Sequence, residues 1–262
     1  MSKTVKYLFA ALIVGACLFG TAEEAVAQHY VGIKGGYGAA MGRFYPKRES
    51  AMFWGCYTGG LAWKYYSATQ VLGGISAELE YQDRGFMYYY GNKTDSTVYE
   101  KRTVTSLTIP FMWQPHLYFF NRKVRFFLNA GITFTYNMTS RYESGTKRDG
   151  IISSGKYEWM TARDCRWGYG LCGGVGLSVL VGRFDIGVEG RYYYGFSDIL
   201  RNRTKYSQNP LRSELDNLSI TFAVFYRLGK GGIKAPPLRK RPARAAERKA
   251  DRNEFTNIHV QQ

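Results

Sequence analysis

The residues of this chain best placed to do chemistry recur two apart: Glu78 and Glu80, Arg183 and Asp185, Glu189 and Arg191. In an extended chain, positions i and i+2 share a face. By that parity Glu78, Glu80, Arg84, Arg125, Arg183, Asp185, Glu189 and Arg191 point the same way, joined by Lys34, Lys64, Arg102 and Arg227. Two carboxylates as close as Glu78 and Glu80 are the raw material of a glycosidase acid/base pair. On the inside of a narrow, filled sheet no glycan could reach them. Unpaired buried charges are too costly to keep, so Glu78, Glu80, Asp185 and Glu189 should each meet an Arg or Lys. The pattern favours a salt-bridged, plugged interior over its functional alternative, a narrow proton or ion path.

Other chemistry is poorly provided for. The three histidines, His29, His116 and His259, all fall away from the long connections where a surface Ser-His hydrolase would need one. No C-x-x-C pair suggests a metal, and Cys56, Cys165 and Cys172 are an odd set for a disulfide framework. They read as small apolar packers, with any pairing left open. No enzyme activity, cofactor or metal is expected.

The elements that position these charges are strands of period two. Phe184, Ile186, Val188, Tyr192 and Tyr194 alternate with Arg183, Asp185, Gly187, Glu189, Arg191 and Tyr193. A helix would scatter that apolar set around its whole circumference. The same alternation recurs at Val31–Tyr37, Phe53–Lys64 (with Phe53, Tyr57, Leu61 and Trp63 as the apolar face), Val71–Gln82, Leu107–Gln114, Val124–Asn137, Trp167–Val179 and Leu218–Leu228. That gives eight segments. With 22 Tyr and 30 Gly, the composition suits a curved sheet with aromatic belts. The fold class is therefore all-β: an eight-stranded antiparallel transmembrane up-and-down β-barrel. Connections near Ser67, Asn121 and Gly182 are short, whereas 41–51, 86–101, 140–165 and 196–214 are long. Short periplasmic turns and long outer loops are the asymmetry of an outer-membrane barrel. Phe86, Tyr88, Tyr89, Tyr90, Trp167, Tyr192, Tyr194 and Phe196 are assigned to the belt on the loop side.

Residues 1–27 read as a signal peptide: Lys3 and Lys6, an apolar Leu8–Phe19, then Ala25-Val26-Ala27. A rival reading takes Val14-Gly15-Ala16-Cys17 as a weak lipobox. Residues 28–229 form the barrel. Residues 230–262 form a basic periplasmic tail too poor in apolar residues to bury a core, with Arg239, Lys240, Arg241, Arg244, Arg248 and Lys249 as its anion-binding set. Net charge is +16. In an exported protein that points to envelope anions and not to nucleic acid. The partners expected are outer-membrane lipid, lipopolysaccharide at the basic loops, and peptidoglycan or an acidic periplasmic protein at the tail.

At this level the chain resembles the PorT-like family of outer-membrane β-barrels. The residues that carry the resemblance are Gly32-Ile33-Lys34-Gly35-Gly36, Gly59-Gly60-Leu61-Ala62-Trp63-Lys64, Glu78-Leu79-Glu80-Tyr81, Leu107-Thr108-Ile109-Pro110, Asn129-Ala130-Gly131, Gly174-Val175-Gly176 and Arg191-Tyr192-Tyr193-Tyr194-Gly195. They span about residues 30–228. The resemblance implies an eight-stranded barrel in the outer membrane, and some family members serve type IX protein secretion. The long basic tail departs from the pattern. The functional expectation is a structural or interaction protein of the cell envelope. The alternatives are an accessory part of type IX secretion or envelope assembly and, behind that, a narrow channel or barrel enzyme.

Overall fold

A computed structural model describes residues 28–46, 50–67, 73–90, 98–120, 122–146, 148–201 and 210–229. The signal-peptide reading of 1–27 and the tail with Arg239, Lys240, Arg241, Arg244, Arg248 and Lys249 lie outside the described residues.

The described residues hold eleven strands: β1 Gln28–Tyr45, β2 Ser50–Ala51, β3 Phe53–Tyr66, β4 Gly74–Tyr90, β5 Val98–Trp113, β6 His116–Phe119, β7 Val124–Thr146, β8 Gly150–Tyr157, β9 Trp167–Val181, β10 Phe184–Gly195 and β11 Arg212–Leu228. All pairings are antiparallel, in one barrel-like sheet. Eight strands are long. They pair β1–β3, β3–β4, β4–β5, β5–β7, β7–β9, β9–β10, β10–β11 and β11–β1. The other three are additions: β2 lies on β4, and both β6 and β8 lie on β7.

The sheet is inside out relative to a water-soluble protein. Leu61 is 61% exposed on the outer face, and Ile33, Val188, Phe222 and Phe134 are exposed with it. On the inner face Glu80 is fully buried, and so are Arg125, Gln82 and Ser106. An apolar girdle of this extent is stable only against hydrocarbon. Its height can be read along β11. The outward positions from Leu228 to Leu218 are apolar, a rise that amounts to about 25 Å across a bilayer once strand tilt is allowed for. Above Leu218 the same row turns to Asp216 and Glu214, paired with Arg43 of β1. Charge on the outer wall marks where hydrocarbon ends.

Three expectations require correction. Phe53 faces inward and is buried, while Trp54 takes the outer face. The cause is a register shift between Gly38 and Ala39 opposite Gly55, whose φ of 107° suits glycine. Phe86 and Tyr88 are not belt residues. They continue the inward parity of Glu78 and Glu80 and are buried. Much of the expected loops 86–101 and 140–165 is strand, because β4 runs to Tyr90, β5 starts at Val98, and β7 with β8 forms a hairpin.

Candidate functional site

The interior is organised around six charged side chains from four strands. Lys34 of β1 places its Nζ 2.5 Å from Glu78 Oε2 and also contacts Glu80, both on β4. Arg191 of β10 reaches the same pair from the other side, with Nη1 2.9 Å from Glu78 Oε2 and 3.0 Å from Glu80 Oε1. Arg191 also pairs with Glu189 on its own strand, and Lys64 of β3 lies 3.9 Å from Glu189 Oε2. Three carboxylates thus meet three cations. Neutral donors complete the set: Tyr193 donates to Glu80 Oε2 at 2.7 Å, and Ser76 donates to Glu78 Oε1 at 2.9 Å. The alternation that put apolar residues outside is what brings these groups to one point, since all six occupy inward positions.

Toward the short-turn end, Arg125 of β7 pairs with Asp185 of β10. Its guanidinium lies 3.8 Å from the Tyr66 ring centre and 5.2 Å from that of Tyr30, a cation–π arrangement strengthened by burial. Tyr66 donates to Gln114 Oε1 at 2.9 Å, and Gln114 donates to Asn129 Oδ1 at 2.5 Å. Lys64 sits over the rings of Phe225 and Phe127 at 4.2 and 4.5 Å. Aromatic rings and cations together line this end.

Toward the long-loop end, Arg84 forms no ion pair among the described residues. It donates to the Leu215 carbonyl at 2.6 Å and to Thr135 Oγ1 at 3.4 Å. Beside it a cavity of about 20 Å³, lined by Arg84, Asn137, Ser197 and Leu215 among others, has room for roughly one water. Beyond Arg84 comes an apolar layer of Phe86, Tyr88, Val104, Ile199 and Leu215, with Phe44 and Trp159 packed on it. A cap follows. Asp164 accepts from the Met160 amide at 2.9 Å and from Tyr157 Oη at 3.1 Å, and lies 3.8 Å from Arg102 Nη1. Arg102 stacks on Tyr157 at 3.6 Å. Burial holds the Tyr157 hydroxyl above its ordinary pKa. Backbone bonds from Cys165 to Ile199 and from Arg201 to Arg163 tie this cap to the segment before β11.

Of the eight charges assigned to the interior from sequence, Glu78, Glu80, Glu189 and Arg191 meet at the centre, Arg125 and Asp185 form the lower pair, and Arg84 stands apart. Arg183 is a correction. It lies in the turn after Gly182, before β10 begins, where strand parity no longer holds; it is exposed and donates to Tyr226 Oη at 2.9 Å. Two groups escaped the sequence reading. One is the Asp164 cap. The other is Asp216, which faces outward, accepts from Tyr192 Oη at 2.8 Å and from the Gly195 amide at 3.1 Å, and forms an ion pair with Arg43, whose Nε lies 2.8 Å away. Its signal was present as an acid on the parity of Ile220 and Phe222. Cys56 and Cys172 are buried, Cys165 is half-buried, and all three are free. Among the described residues no cluster of three or more His, Cys, Asp or Glu is placed to hold a metal ion.

At the centre each carboxylate is engaged by a cation. Glu78 and Glu80 share Lys34 and Arg191, and their remaining oxygen contacts go to Ser76 and Tyr193. This arrangement neutralises charge and fixes strand to strand.

Residues 26–201 match the model of a family described as the outer membrane protein beta-barrel domain. A comparison with curated proteins found no match. Among solved structures, the chain is similar to Neisserial surface protein A, at 11% identity and a TM-score of 0.42 over 77% of this chain and 99% of that one. It is similar to a major outer membrane protein from Thermus thermophilus, at 12% and 0.41, with the same coverage. It is also similar to Ail, the attachment invasion locus protein of Yersinia pestis, at 12% and 0.35, again over 77% and 99%.

Proposed function

This chain belongs to the outer membrane protein beta-barrel domain family and resides in the outer membrane, and from that premise we propose that it is a closed, eight-stranded, plugged barrel acting as a structural and interaction protein of the cell envelope, without enzymatic activity. Closure is supported by the pairing of β4 with β5 as well as of β1 with β11. Within the family we place it with the PorT-like barrels. Two of the motifs that carry that resemblance, Glu78-Leu79-Glu80-Tyr81 and Arg191-Tyr192-Tyr193-Tyr194-Gly195, supply two of the three acids, the arginine and the tyrosine of the central cluster.

One observation carries the plugged reading: Arg191 and Glu80, facing each other across the interior, are 1% and 0% exposed. A conducting path needs hydrated charge along its length, and these groups solvate each other instead. The test is incorporation of the purified protein into planar bilayers, alongside incubation with outer-membrane lipid. We expect no stepwise currents and no lipid product. Either result, if seen, would replace this reading with the channel or the enzyme.

Gln28 and Leu228 come at the same end of the β1–β11 pair, the short-turn end. We place that end in the periplasm. The cations Arg239, Lys240, Arg241, Arg244, Arg248 and Lys249 then follow Leu228 on the side where peptidoglycan carboxylates, inner-leaflet lipid headgroups or an acidic protein would meet them. Pull-downs with and without residues 230–262 test this, and capture that is unaffected by the deletion would refute it.

A further inference from the structure

The strands end at unequal heights on the long-loop side. β9 starts at Trp167 and β10 ends at Gly195, but β4 runs to Tyr90, β5 starts at Val98 and β7 continues to Thr146. Tyr136 is the last residue of β7 paired with β9. From Ser140 onward that edge of β7 carries β8 instead, in a register from Ser140↔Tyr157 to Thr146↔Gly150. β8 is therefore the outer strand of a projecting sheet ordered β4–β5–β7–β8. Among the described residues no strand pairs with its other side.

That edge is unguarded. Ile151 and Ile152 are 60% and 66% exposed, and the stretch Gly150-Ile151-Ile152-Ser153-Ser154-Gly155-Lys156-Tyr157 has no proline and one charge. Sheet edges that must stay single are usually blunted by prolines, charges or cover, because their free N–H and C=O groups template another strand. The one charge is also placed at a cost. Lys156 lies directly opposite Arg141 of β7, both are exposed, and like charges in that position repel. Among the described residues no acid comes within ion-pair reach of either. The nearby acid, Glu143, is already engaged by Lys101 at 3.5 Å and by Tyr99 Oη at 3.0 Å.

The geometry points to strand addition: β8 receives an extended segment of another surface or secreted polypeptide, one that sets an acidic side chain beside Lys156 and Arg141 and an apolar one beside Ile151 or Ile152. Main-chain pairing supplies the affinity, and the acid selects the partner. A second copy of this chain fits less well, since two β8 edges would bring cation to cation with no acid between them. The assignment rests on the outer-membrane reading above, in which this end faces away from the cell.

The test uses the full-length protein in phosphatidylcholine nanodiscs. Three labelled octapeptides serve as probes: alternating Glu and Val, the same with Lys for Glu, and the Glu–Val peptide with every second amide N-methylated. The Glu–Val peptide should bind roughly tenfold or more tighter than the other two. It should also slow amide exchange across residues 150–157, and the double variant Arg141→Glu with Lys156→Glu should invert the preference toward the Lys peptide. Equal binding of the N-methylated peptide would overturn strand addition. Protection of β8 by lipopolysaccharide but not by the Glu–Val peptide would assign the cations to a lipid anion and refute the proposal. A heat-modifiable gel shift is recorded on every sample. A lost shift means the barrel reading has failed, and a retained shift without peptide binding means that only the edge proposal has.

Discussion

Arg191 on β10 donates through Nη1 to Glu78 Oε2 on β4 at 2.9 Å and through Nη2 to Glu78 Oε1 at 3.1 Å, joining residues 113 apart in sequence across the interior. Two parallel N–H···O bonds of this kind fix both distance and orientation. The same guanidinium serves Glu80 and Glu189, so one side chain holds three carboxylates.

Replacing that side chain leaves the acids uncompensated. Arg191→Met should destabilise the fold by about 3–5 kcal/mol, the usual cost of removing one member of a buried ionic group. The measurement is the urea midpoint of the protein folded in lipid vesicles. Adding Glu78→Gln to the variant should recover part of the loss, because it removes one of the stranded charges. If the double variant were the worse of the two, the shared-cation account would be wrong.

Charge on the outer wall should be penalised by depth. Val188 of β10 pairs with Phe222 of β11 near mid-wall, whereas Leu218 lies one outward step below Asp216. Val188→Arg is expected to cost about 2–4 kcal/mol and Leu218→Arg about 0–1 kcal/mol. Unfolding of both variants in the same vesicles checks this, and equal costs would mean that the apolar girdle has been misplaced.

A pair of glycines tests the packing of the wall. A Cβ on Gly131 would sit 2.0 Å from the Phe111 carbonyl oxygen and 2.7 Å from Met112 Cα, whereas a Cβ on Gly190 meets nothing within 4 Å. Gly131→Ala should therefore cost about 1–3 kcal/mol, and Gly190→Ala should stay within about 0.5 kcal/mol of the parent. Their gel-shift melting temperatures should separate accordingly.

The cap should open without unfolding the wall. Asp164→Ala removes the acceptor for the Met160 amide and Tyr157 Oη and the counter-charge of Arg102. Trypsin should then cut after Arg163 or Arg166 several times faster, while the urea midpoint moves little, because local and global opening differ in free energy. A large fall in the midpoint would make the cap part of the cooperative core.

Most of the wall was legible because its cause is local. A bilayer outside and charge inside force a period of two, and Phe184, Ile186 and Val188 display it against Asp185 and Glu189. What escaped has non-local or irregular causes. Gly55 shifts the phase of β3 by one residue and turns Phe53 inward, and in a strand that also holds Gly59 and Gly60 its glycine alone did not single out the bulge. Phe86 and Tyr88 resemble belt aromatics, yet their parity with Glu78 and Glu80 placed them inside. That parity was available and was overridden by their chemistry. Arg183 fell one residue short of the strand. The pairing of Arg43 with Asp216 could not be read at all, because it depends on where the first and last strands register against each other.

The position of Lys34 has a consequence for how the protein is made. It stands on the first strand, its carboxylates stand on β4, and the guanidinium that completes their neutralisation arrives only with β10. A nascent or truncated chain that stops at β9 would keep Glu78 and Glu80 without the guanidinium that binds both of them from across the interior, and so would leave carboxylate oxygens short of donors in the part of the molecule that must leave water. Delivery of β10 supplies those donors and narrows the gap in the wall together, so that insertion of an incomplete product into lipid is discouraged by the same contact that rewards completion.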